Sequence, residues 1–288
     1  MLKNVLRIYE VLEDPDVTGE DVASLFSRGN VIVEEVNEEG STDFVKIEFG
    51  SGPPVLGIIG QLGGIGAEEK TGLVSDAEGA LTALSCALQL EKTEVEGTII
   101  VTTHICSTAP IIPHELVEFM GAPLSVSTMM DHLVDERMDA VLSVDTTRGN
   151  RIINCRGVAI SPTVKEGYIL RVSENLLSIQ ERVTGRLPVV FPITTQDITP
   201  YSNNVYHLNA IMQPCTKTNS PVVGVAITSD VVVPGCATGA NQVTDVEAAA
   251  RFCMEVAKEY SIGKCPFYDE NEFKTLKALY GSMNHLQL

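Results

Sequence analysis

Basic residues are scarce in this chain: 20 lysines and arginines stand against 38 aspartates and glutamates, a formal net charge of −18. A surface this acidic repels phosphate backbones, which argues against nucleic acid as a partner. Long apolar runs are missing too. No stretch approaches the roughly 20 residues that a membrane-crossing helix needs. Charges interrupt the opening residues, MLKNVLRIYEVLEDPD, too early for a signal peptide. The expectation is a cytoplasmic protein with no membrane partner. The seven cysteines (86, 106, 155, 215, 236, 253, 265) are odd in number and form no CxxC pair. That composition speaks against a disulfide framework or a zinc knuckle and for reduced thiols. There is no GxSxG elbow. The glycine-rich QLGGIGAEE has neither the Lys-Ser/Thr pair of a phosphate loop nor the GxGxxG order of a dinucleotide site.

What is present reads as an ordinary globular protein: 288 residues, 44% of them hydrophobic, with no linker, repeat or low-complexity tract. One α/β domain over 1–288 is expected. Residues 1–50 would supply N-terminal helices and a strand pair, 51–260 the core, and 261–288 a peripheral helix. LKNVLRIYEVL has helical spacing, and Thr18 with Asp21 reads as a helix start. VIVEEV and DFVKIEF read as paired strands. VLGIIG, TIIVTT, MDAVLSVD and PVVGVAIT are apolar almost throughout, as strands covered on both faces are. Between them lie SDAEGALTALSCALQLEK, expected to be helical from Ser75, then ENLLSIQERVT and VTDVEAAARFCMEVAKEY. VVFPIT reads as a short strand and NNVYHLNAIMQ as a weaker helix. The fold class is therefore α/β, a three-layer α/β/α sandwich around a mixed, mostly parallel sheet.

Ligands of open α/β sheets bind beyond the carboxyl ends of the strands. TIIVTT ends at His104 and MDAVLSV at Asp145, and Asp76 heads the helix that follows the glycine-rich loop. Two carboxylates and an imidazole at neighbouring strand ends suit a divalent cation, Zn²⁺ among them. Each residue also has a plain structural role open to it. Asp76 can cap its helix, Asp145 can make an Asx-turn before TTRG, and His104 can bond a backbone carbonyl. His114 behind Pro113, and His207 in NNVYHLNA, are the further histidines near these ends.

The runs QLGGIG, LVSDAEGA, TTHIC, SVDTTRGN, AISPTVKEGYILRVSENLL, TTQDITPY and PVVGVAIT resemble a bacterial and archaeal family catalogued as a domain of unknown function. The order of elements is also distantly similar to the catalytic domain of zinc-dependent exopeptidases of the deblocking or glutamyl aminopeptidase type. That resemblance implies that Asp76 is a metal-bridging Asp and Asp145 a ligand Asp, with His104 where those enzymes carry a pair of Glu. Gln61-Leu62-Gly63 stands where they have a first ligand His, and 228–240 contains no His for the last ligand. The function it implies is a metal-dependent hydrolase of a small amide or peptide-like substrate. Asp76, His104 and Asp145 would hold the cation, and His207 or His114 would shuttle the proton. The alternative is a non-catalytic ligand-binding or scaffold protein with a degenerate metal site. The partners expected are a small-molecule or peptide-like ligand and further copies of the chain.

Overall fold

The structure, a computed structural model, describes residues 1–38, 40–61, 65–66, 72–113, 118–231 and 242–287, without the side chains of Ser75 and Phe119. Its eleven strands are β1 (Asn30–Asn37), β2 (Ser41–Gly50), β3 (Val55–Gly60), β4 (Thr98–Ile105), β5 (Ile111–Ile112), β6 (Phe119–Met120), β7 (Ala140–Thr147), β8 (Gly157–Ile160), β9 (Thr163–Lys165), β10 (Tyr168–Leu170) and β11 (Val222–Thr228). The α-helices are α1 (Leu2–Leu12), α2 (Gly19–Ala23), α3 (Glu78–Leu90), α4 (Val126–Leu133), α5 (Glu174–Thr184), α6 (Val243–Ser261) and α7 (Glu270–Tyr280). Nine strands form one mixed sheet in the order β1-β2-β4-β3-β7-β11-β9-β10, with β8 also on β11; β5 and β6 make a separate hairpin. The central four, β4-β3-β7-β11, run parallel. These are the strands whose sequences are apolar throughout, because both of their faces are covered.

Alternation along the strands sorts side chains into two cores. Val45, Ile47, Ile58, Val101, Leu142, Val144 and Val225 pack against α1, α3 and α6. Phe44, Ile59, Ile100, Val141 and Ala226 face the other way, against Met129, Met130 and Leu133 of α4 and Phe191, Ile198, Ile211 and Met212. Helix α3 is buried on nearly every side, which explains its Ala/Leu composition.

Several local expectations change. Thr18 and Asp21 do form a capping box, but the helix they start, α2, is short and ends at Ala23. Residues Ser75–Ala77 make a 3-10 turn, and α3 proper begins at Glu78. VVFPIT forms no strand, only a bridge from Val190 to Ile160, since Pro188 and Pro192 withhold the N–H groups that a ladder needs. NNVYHLNAIMQ is not an α-helix either. Its latter part enters a 3-10 helix, Ala210–Thr216, that contains Pro214.

Two glycines bring α3 to the strand ends. A Cβ on Gly79 would lie 2.4 Å from the Gln61 carbonyl oxygen and 2.7 Å from that of Val144. A Cβ on Gly60 would lie 2.5 Å from the Gly79 oxygen. Only glycine at both positions lets the helix start touch the backbones of β3 and β7. Asp76 and Glu78 are thereby delivered to the carboxyl edge of the sheet.

Candidate active site at the carboxyl ends of the parallel strands

Register sets the frame. Ile59 pairs with Thr102 and Gly60 with Val144. Continuing that register places Gln61 in one row between His104 on β4 and Asp145 on β7. At about 4.8 Å per strand, the outer two stand roughly 10 Å apart at Cα. Gln61 is 4% exposed, and its Nε2 donates to Ser143 Oγ and to the Ile211 carbonyl, 2.8 Å away. A side-chain amide thus occupies the middle of the row, tied down by its own bonds.

On the Asp145 side, carboxylates gather. Asp145 accepts the Thr146 N–H at 2.7 Å. Glu78 accepts the Thr146 hydroxyl at 3.2 Å and the Gln242 N–H at 3.1 Å. Asp76 accepts from the Met120 backbone, so the β5-β6 hairpin lies against it. Burial raises the Glu78 carboxyl to about 8, and the charges of Asp76 and Asp245 add to it. Burial likewise holds Asp145 well above the usual carboxylate range, helped by Asp76 and Glu78. Asp76 is raised to about 6 by burial, against the pull of the Met120 bond and the Arg148 charge. Asp76, Glu78 and Asp145 therefore form one electrostatic unit.

His104 sits on the other side of Gln61. It is 1% exposed, and burial pushes its imidazole down to about 3, so the ring is neutral. Its Nδ1 lies 3.1 Å from Thr42 Oγ1, whose single proton goes to the Ile105 carbonyl at 2.9 Å. Nδ1 must then be the donor, which leaves Nε2 as the basic nitrogen. A ligating histidine has this arrangement, one ring nitrogen fixed by an oxygen and the other carrying the lone pair.

The structure brings Asp76 and Asp145 together and places His104 in the same strand-end row, turned toward Thr42. Among the described residues, no group of three His, Cys, Asp or Glu side chains is arranged to hold a metal ion. His114 lies outside the described residues. His207 stacks on Tyr201, ring centroids 4.2 Å apart, and its Nε2 donates to the Thr199 carbonyl at 3.0 Å. Burial and the Asp145 charge both raise the Tyr201 hydroxyl, so that the stack adjoins the carboxylate group. Sequence reasoning passed over Glu78 and Tyr201. Glu78 had a signal: it is the acidic residue in the first turn of a helix otherwise built to be buried. Tyr201 had none.

The sequence matches, over residues 33–288, a family described as "Protein of unknown function (DUF1177)". A search of curated proteins finds no match. Among solved structures, the bottromycin maturation enzyme BotP is similar with a TM-score of 0.59 and 13% identity, over 91% of this chain and 70% of that one. The same enzyme in complex with Mn gives 0.56 at 13% identity, over 90% and 70%. Leucine aminopeptidase LAP1 of Caenorhabditis elegans gives 0.57 at 11%, over 90% of this chain and 65% of its own. The cytosol aminopeptidase of Coxiella burnetii gives 0.51 at 14%, over 92% and 70%. The chain spans about two thirds of the length of these proteins. Identities this low establish the fold, which is that of the aminopeptidases, in keeping with the distant resemblance drawn from the order of elements.

Proposed function

We propose, for a chain that belongs to the DUF1177 family, that it is a metal-dependent hydrolase of a small amide or peptide-like substrate. The observation that carries this reading is the gathering of buried Glu78 and Asp145 with half-buried Asp76 at the carboxyl ends of the central strands, where the Asp76 charge raises the proton affinity of both and Glu78 adds to that of Asp145. Like charges are brought together out of water only at a cost, and a divalent cation is the partner that offsets it. The residues present fit such an ion by their donor chemistry. Asp76 and Asp145 would hold it with Glu78, and His104 Nε2 is the nitrogen donor in the same row. Carboxylates with one imidazole suit Mn²⁺ as well as the Zn²⁺ that the resemblance implies. When bound, the cation supplies a Lewis acid that polarises a carbonyl and acidifies water.

The remaining work falls to the chain. Thr42 orients His104 through Nδ1. The Thr146 and Gln242 N–H groups aim the oxygens of Asp145 and Glu78. With Nε2–H committed to the Thr199 carbonyl, His207 keeps an unprotonated Nδ1, which would first take a proton from the attacking water and then hand it to the leaving amine. His114, the other histidine suggested by sequence, lies outside the described residues and would serve the same step. The similarity to BotP and the aminopeptidases supports the reaction class through the fold they share. The test is metal analysis and turnover on a panel of aminoacyl amides and dipeptides, before and after chelation. Bound cation near one equivalent, with turnover lost on stripping and restored by Mn²⁺ or Zn²⁺, is expected. Indifference of both folding and turnover to chelation would refute it.

A second reading, a non-catalytic ligand-binding descendant of this fold, has one specific observation in its favour. Gln61, bound to Ser143 and Ile211, stands where the resembling peptidases carry a ligand histidine. Metal-independent binding of a ligand without turnover would select it.

A further inference from the structure

The segment leading into Ile211, whose carbonyl accepts from Gln61, is fastened through two buried polar side chains, Asp197 and Gln213. Asp197 is 0% exposed. Its Oδ2 accepts from the Thr194 N–H at 2.8 Å and the Thr194 hydroxyl at 3.1 Å. Its Oδ1 accepts from the N–H groups of Leu208 and Asn209 at 2.7 and 2.9 Å. One carboxylate therefore ties together both ends of the loop Thr199–His207. Gln213 closes the loop from inside: its Oε1 accepts the Tyr201 N–H at 3.2 Å, and its Nε2 donates to the carbonyls of Asp197 and Thr199 at 3.3 and 3.0 Å. The Tyr201–His207 stack spans the neck, and Ser202 and Asn204 turn the tip with left-handed φ of 76° and 60°. A loop this bonded is a fixed surface.

Beside the exposed polar residues Ser202, Asn203 and Asn204 it displays an apolar group: Val205 and Tyr206 are 43% and 79% exposed, and Leu208, just past the loop, is 49% exposed, on a chain of net charge −18. The loop is rooted next to the site floor, because Ile211, at the start of the returning 3-10 helix, accepts from Gln61, the middle residue of the strand-end row. Three side chains make a surface of substrate size, far below the roughly 800 Å² per partner that a stable protein interface buries.

We propose that the loop clasped by Asp197 is the specificity wall of the site, with Val205, Tyr206 and Leu208 receiving an apolar side chain of the substrate and Asp197 and Gln213 acting as positioning residues. This rests on the hydrolase reading for the location of the scissile amide, over Asp76, Glu78 and Asp145, but it can fail separately. The experiment compares wild type with the Val205→Ser/Tyr206→Ser double variant, whose exposed positions leave the core intact. Binding of L-leucinamide and of L-aspartic acid α-amide is measured by saturation-transfer NMR and calorimetry, and turnover is measured on the Leu and Asp 4-nitroanilides with Mn²⁺. Wild type should favour leucine over aspartate by roughly tenfold or more, the discrimination that one apolar side chain provides. The variant should fall to near parity at unchanged Tm. An equal preference in wild type, or an undiminished one in the variant, overturns the proposal, as does binding of neither probe. So does a change of oligomeric state in the variant by light scattering, which would make the patch an interface between copies. Binding preference without turnover supports the wall and sinks the hydrolase reading. Turnover indifferent to the side chain does the reverse.

Discussion

Glu78→Gln isolates the cost of the buried carboxylates. In the folded chain without a cation, Glu78 is raised from 4.5 to about 8. A carboxyl whose pKa is raised by folding stabilises the protein while protonated. That contribution is complete below the unfolded value and is lost as pH climbs through the folded one. At about 1.4 kcal/mol per pKa unit, this displacement carries roughly 4–5 kcal/mol between pH 4.5 and pH 9. Glutamine keeps the shape and stays neutral. Its Oε1 can accept the Gln242 N–H as Glu78 does, and its amide can donate to the Thr146 hydroxyl. Wild type in EDTA should therefore lose stability across this window, and Glu78→Gln should lose about 4 kcal/mol less. Urea unfolding at pH 5, 7 and 9, followed by far-UV circular dichroism, measures both. With Mn²⁺ present the order should invert, because glutamine removes a charge that the cation needs. Identical pH dependence in the two proteins would show that Glu78 is neither buried nor coupled to Asp76, and the reasoning built on the carboxylate group would fall with it.

His104→Asn should fold, as judged by its circular dichroism, and lose cation affinity by about 10–100-fold. Full metal retention by elemental analysis would assign His104 to structure alone, whereas His114→Asn should keep its metal. Thr42→Val leaves the His104 Nδ1–H without its acceptor and should cost about 1–3 kcal/mol in urea unfolding. A loss near zero would mean that the ring nitrogen finds another partner. On the acid side the sign reverses. His104 is held down to about 3, so stability is complete above the ordinary imidazole value and is lost as pH falls below about 6.5. His104→Phe should flatten that limb in a pH titration of Tm. Free-thiol titration in denaturant without reductant should count seven, since the described cysteines 86, 106, 155, 215, 253 and 265 are all unbridged. A count of five or fewer would reveal a disulfide.

Periodicity made the sheet legible before any coordinates. VLGIIG, TIIVTT, AVLSVD and PVVGVAIT are apolar because strands covered on both faces have no solvent side, and that pattern is local. The strand-end rule then named Asp145 and His104, and the glycine-rich loop led to Asp76. Other elements depended on distant chain. The short antiparallel strands 157–170 carry too few residues for a period to show, and they form because β11 offers them a ladder. The segment 189–193 has the composition of a strand, but two prolines deny it the hydrogen bonds. For the site, spacing in sequence cannot say which carboxylates meet. Gly60 and Gly79 permit a backbone contact that carries Glu78 to Thr146, 68 residues away. Thr42 decides the His104 tautomer from 62 residues away. Tyr201 reaches the neighbourhood of Asp145 only because Asp197 and Gln213 fasten its loop. Local pattern thus determines which segments become strands and where a pocket must open. Burial and charge at that pocket belong to chain segments far apart in sequence, and the tertiary fold alone brings them into one electrostatic field.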